Sequence, residues 1–68
     1  MINDIRYPEI EVKLIGEDGN AFSILGRIQS ALRRNEVPDS EIKLFLSEAT
    51  SGNYDELLVT CMKWVNVI

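Results

Sequence analysis

The sequence predicts a small α+β domain in the order strand, helix, helix, helix, strand. Three observations carry that reading. Ile10, Val12 and Leu14 alternate with Glu9, Glu11 and Lys13, the period of a half-buried strand. Three later stretches repeat apolar residues at helical spacing, each opened by a capping asparagine or a proline. After Met62 the period returns to two, with Val65 and Val67 set against Trp64, Asn66 and Ile68. At 68 residues the chain has room for one domain, so a single unit over residues 1–68 is expected.

Residues 1–8 end in Tyr7-Pro8 and read as an irregular arm. Proline suits the position just before a strand, where its missing N–H costs little. The strand of residues 9–14 leads into the turn cluster Gly16-Glu17-Asp18-Gly19-Asn20. Asn20 is suited to cap the first helix, whose apolar stripe is Ala21, Ile24, Leu25, Ile28, Ala31 and Leu32. Gly26 falls mid-helix, at a cost of about 1 kcal/mol against alanine. Close packing on a neighbouring backbone is the expected reason. Arg33 and Arg34 fall in the last turn, where cations favour the helix dipole.

Asn35-Glu36-Val37 ends that helix, and Pro38 suits the first position of the next. Ile42, Phe45, Leu46 and Ala49 form its stripe, with Gly52 expected as the C-terminal cap. Asn53 and Glu56 match a capping box ahead of a third stripe of Tyr54, Leu57, Leu58, Cys61 and Met62. Residues 64–68 are rich in strand formers. The alternative is that the third helix runs to Ile68, but the first strand then lacks a partner.

A two-stranded sheet is marginal in water. Two copies could join into four strands and cover exposed edges. Area scaling gives roughly 11,000 Å² for the unfolded chain and about 4,300 Å² folded, a thin core. A single cysteine excludes an internal disulfide, and the lack of histidine leaves a structural zinc site unsupported. Association is the remaining stabiliser, so a homodimer or higher homo-oligomer is expected. Trp64 points opposite to Val65 and Val67 in a strand, which makes it a candidate interface anchor. The alternative leaves it partly buried under the N-terminal arm. Arg34 is the second interface candidate.

Seven basic and eleven acidic residues give a net charge of −4, which repels phosphate backbones and disfavours a general nucleic-acid binder. No apolar run is long enough for a signal peptide or a membrane span, so a cytoplasmic location is expected, in a bacterial cell or a phage's host.

Catalytic chemistry has little support. Cys61 has no histidine to act as its base and falls on an apolar stripe. Ser23 and Ser30 lack an activating partner. The carboxylate pairs Glu17 with Asp18, Glu41 with Glu48, and Asp55 with Glu56 could serve acid–base or metal chemistry, but a solvated acidic face explains them as well. No metal or cofactor is implied. The turn before helix one is the most suggestive place. Its glycines and free N–H groups, with Gly19, Asn20, Ser23 and Arg27, could hold a phosphate or carboxylate. The spacing matches neither a P-loop nor a dinucleotide fingerprint, and Glu17 and Asp18 oppose an anion. A basic face of Arg27, Arg33 and Arg34 is a further possibility, although no aromatic residues interleave it for single-strand stacking.

Two stretches, Asp18-Gly19-Asn20-Ala21-Phe22 and Ser51-Gly52-Asn53-Tyr54-Asp55-Glu56-Leu57-Leu58, with Ile24-Leu25-Gly26-Arg27, Ala31-Leu32-Arg33-Arg34 and Cys61-Met62-Lys63-Trp64-Val65, resemble a family of short uncharacterised proteins from bacteria and their phages. The resemblance covers roughly residues 10 to 67. It implies a small free-standing cytosolic protein, often phage-associated, and transfers no activity and no functional residue. Together these readings point to a non-enzymatic accessory or protein-interaction module. A host or bacterial protein, or another copy, would be its partner. The alternative is an oligomer that sequesters a small anionic, nucleotide-like ligand at Gly16–Asn20 and helix one. A metal-dependent enzyme and a nucleic-acid accessory rank below both.

Overall fold

The computed structural model describes residues 5–68. Strand β1 (Tyr7–Val12) is followed by α1 (Ala21–Arg34), α2 (Asp39–Ala49), α3 (Tyr54–Trp64) and strand β2 (Val65–Val67). The two strands pair in parallel, so the three helices together form the crossover between them. The accessible surface is 4418 Å², close to what area scaling gives for one folded chain of this mass.

β1 starts earlier than the sequence suggests. Tyr7 pairs with Val65, and Glu11 and Val12 with Asn66 and Val67. Three residues are therefore bulged out between the two parts of the ladder. Pro8 lies in that bulge, where no ladder bond needs its missing N–H. Tyr7 and Pro8 thus belong to the sheet, not to an arm; residues 1–4 of the expected arm lie outside the described residues. Leu14 lies beyond the strand, and its N–H donates to the Ile68 carbonyl at 2.9 Å.

Ile24, Ile28, Ala31 and Leu32 of α1 are buried against Ile10 and Val12, Ile42, Phe45 and Ala49 of α2, and Leu57, Cys61 and Trp64 of α3. α1 ends in a full Schellman motif. The Val37 N–H donates to the Leu32 carbonyl and the Glu36 N–H to the Arg33 carbonyl, both at 3.0 Å. Glu36 holds the left-handed position, φ +62°, that glycine usually takes.

Three local expectations need correction. Pro38 is the N-cap of α2, one residue before its first helical position. Gly52 does not cap α2. Thr50 does, and the Thr50 and Ser51 hydroxyls donate to the Leu46 and Glu48 carbonyls. Gly52 is open for another reason: a Cβ there would collide with the Glu56 side chain. That side chain reaches back to accept from the Asn53 N–H at 2.9 Å, which completes the capping box. Gly26 touches no neighbouring backbone; a Cβ there would meet open space.

The buried stripe of α3 is Leu57, Cys61 and Trp64, while Tyr54 and Met62 are exposed. The helix continues through Trp64, so its buried face is centred on the spacing i, i+4, i+7. Ending the helix at Met62 puts Trp64 on the wrong period.

Candidate functional site

The turn before α1 brings Gly19, Asn20, Ser23 and Arg27 together, as their spacing suggests, but pairs them with the two local carboxylates. Gly16 makes the turn possible with φ +82°. Asp18 accepts from the Asn20 N–H and from the Ser23 hydroxyl, each at 3.0 Å. Asn20 caps α1 by accepting from the Phe22 N–H at 2.8 Å. Arg27 Nη2 lies 3.0 Å from Glu17 Oε1, and the Tyr54 hydroxyl donates to the Gly19 carbonyl. The Asp18 carboxylate therefore stands where an anion at this helix start would stand. The Asn20 N–H, then the Ser23 hydroxyl, then the Arg27 charge hold its pKa below the usual carboxylate value.

A second constellation surrounds Trp64. The indole is 1% exposed. Its Nε1 donates to Glu48 Oε1 at 2.9 Å. Phe45 meets it edge-on at 5.5 Å, and Tyr7 lies tilted at 6.0 Å. The Arg6 guanidinium sits 4.5 Å above the ring, a cation–π contact. Glu41 fixes Arg6, with its Oε1 2.9 Å from Arg6 Nε, and accepts from the Tyr7 hydroxyl at 3.0 Å. Burial, then the bond to Glu41, raises the Tyr7 pKa. Trp64 is thus part of the monomer core beneath Arg6 and Tyr7. The outward anchor expected of it is corrected, because the residue ends a helix instead of opening a strand.

The carboxylate pairs are committed in the same way. Glu41 serves Arg6 and Tyr7, Glu48 serves Trp64, Glu17 serves Arg27, and Glu56 serves its helix cap. Among the described residues no three metal-binding side chains come together. Cys61 is buried, and burial pushes its thiol up to about 11, so it stays protonated at neutral pH.

Two of the grooves among the described residues lie along the sheet, one beside each strand. The larger, about 810 Å³, runs along β2 and α3 and includes Val59, Met62, Lys63, Asn66 and Val67, with Ile5 and Arg6 at one end. Val59 and Met62 are 45% and 52% exposed. Ile68 donates its N–H to Val12 and accepts from Leu14 and Ile15. Residues alternate sides along a strand, so the Val67 N–H and carbonyl point to the outer edge. Sequence reasoning missed this groove because its wall joins the two ends of the chain. The exposed i, i+3 pair Val59 and Met62 was the available signal.

The smaller groove, about 490 Å³, lies between β1 and α1 and is lined by Glu11, Val12, Lys13, Gly26, Arg27, Ser30 and Arg34. Arg34 therefore lines a different groove from the one at Trp64. No helix among the described residues is long and apolar enough to cross a membrane. No known family model, curated protein or solved structure matches the chain.

Proposed function

We propose that the protein is a non-enzymatic interaction module that works as a homodimer, joined along the free edge of β2. The observation that supports this reading is that outer edge. It offers the backbone of Val67, unpaired among the described residues, beside the exposed apolar side chains of Val59 and Met62. Edge-to-edge pairing about a two-fold axis joins two two-stranded sheets into one of four strands. It also covers the apolar flank on both copies. Val59 and Met62 take the anchoring role that the sequence suggested for Trp64. The resemblance to short bacterial and phage proteins extends the reading to a cytosolic accessory, bacterial or phage-encoded.

The test is mass measurement in solution, by native mass spectrometry and by light scattering across protein concentration. A dimer is expected. Val67→Pro removes the outward N–H and leaves the bonds to β1 in place, so it should weaken dimerisation about tenfold or more, with the circular dichroism spectrum unchanged. A monomer at every concentration, or a dimer indifferent to Val67→Pro, overturns the proposal.

A further inference from the structure

We propose that the groove between β1 and α1 is a binding site for a small phosphorylated molecule, held by Lys13, Arg27, Ser30 and Arg34. It shares no residue with the β2 edge and stands independently of dimerisation.

The first support is charge. The chain carries a net charge of −4 and seven basic residues, yet three of the seven converge on this one groove. Lys13 and Arg34 have no ion-pair partner among the described residues. The second support is order. Arg27 and Arg34 are seven residues apart on one helix, about 10 Å along its axis, with Ser30 between them. Glu17 grips one end of the Arg27 guanidinium and so orients it before any ligand arrives. The third support is Gly26. It is exposed in mid-helix, where alanine is about 1 kcal/mol better, and no packing contact explains it. Its missing side chain leaves the groove floor open.

These features select among phosphate compounds. Two arginines with a hydroxyl between them suit two adjacent phosphates better than one. Glu11 on the facing wall repels further negative charge and accepts from a hydroxyl or amine. A long polyanion would have to pass Glu11 and face the net charge of the whole protein. A volume of about 490 Å³ is within the range of small-molecule sites. The chemistry is therefore that of a nucleoside diphosphate or a comparable diphosphate ester.

The anion site expected at Gly16–Asn20 is thus moved along α1. Arg27 is common to both, whereas Ser23 and Asn20 are already engaged with Asp18 and the Phe22 N–H.

The experiment is a ¹H–¹⁵N NMR titration of the whole chain at low salt with pyrophosphate, ADP, sulfate and a ten-nucleotide single-stranded DNA. The expected result is saturable shifts with pyrophosphate and ADP, centred on the amides of Gly26, Arg27, Ser30 and Arg34. Arg34→Glu should weaken ADP binding about tenfold or more. Gly26→Leu should do the same by filling the floor while it raises Tm, which separates blockage from unfolding. Lys43→Glu, an equal charge change at an exposed position elsewhere, should leave binding unchanged, as should Val67→Pro. Absence of saturation, equal response to sulfate, tighter binding of the DNA than of ADP, or indifference to Arg34→Glu and Gly26→Leu each overturns the proposal.

Discussion

The two sides of the sheet use the same residue types for different ends. On the β2 side, Arg6, Glu41 and Glu48 serve one large ring. They cap, orient and hydrogen-bond the buried Trp64. On the β1 side, Glu17, Asp18, Ser23 and Arg27 serve one another on the surface. The two ion pairs are similarly exposed, with side chains 46% and 27% accessible at Arg6 and Glu41 and 37% and 34% at Arg27 and Glu17. They differ in what they cover: the first roofs a buried indole, the second orders a turn and the helix start behind it. An ion pair therefore matters to the fold through the group it covers more than through its own burial.

The strongest way to break that comparison is to exchange the two sides' sensitivities. Trp64→Ala should cost about 3–5 kcal/mol, enough to unfold most of a domain this size. Arg27→Ala should stay within about 0.5 kcal/mol. Urea unfolding followed by circular dichroism measures both, and comparable losses would erase the distinction.

A medium effect belongs to the β1 side. Gly16→Ala forces a Cβ into the left-handed region and should cost roughly 1–2 kcal/mol. A neutral result would mean that the turn relaxes without consequence to α1.

The smallest effect sharpens the picture through pH. The folded state lowers the Asp18 pKa, chiefly through the Asn20 N–H. The stability it adds is fully present above the ordinary carboxylate value and is lost as pH falls through the depressed folded one. Asp18→Asn should remove that increment at neutral pH, leave stability below the depressed value nearly untouched, and so flatten the acid limb between them. Acid titrations of the two proteins with the same slope would remove Asp18 from the account.

Local chemistry was legible in the sequence. Asn20 and Asn53 cap the helices they were expected to cap, because a capping asparagine needs only its next few residues. Ile10 and Val12 are buried as their alternation indicates. Legibility failed at Trp64, where the chain changes from a period of 3.6 to a period of 2. One residue's difference in the handover turns the indole from solvent to core. It failed again at Gly52 and Gly26, since an absent side chain does not say what the space is for. In the candidate turn the types were legible but the pairing was not. Asn20 and Ser23 look ligand-directed until the Phe22 N–H and Asp18 are seen to occupy their side chains. Both grooves depend on distant parts of the chain, which no short window contains.

The parallel pairing of β1 with β2 has a kinetic consequence. The first strand and the last close a loop of roughly fifty residues, and that closure must be met before the ladder returns any bond. The helices are local and can form early, while β1 waits, open-edged, for the final element. Folding should then be limited by one late event, the docking of Val65–Val67 beneath Tyr7, and unfolding should begin by its reversal.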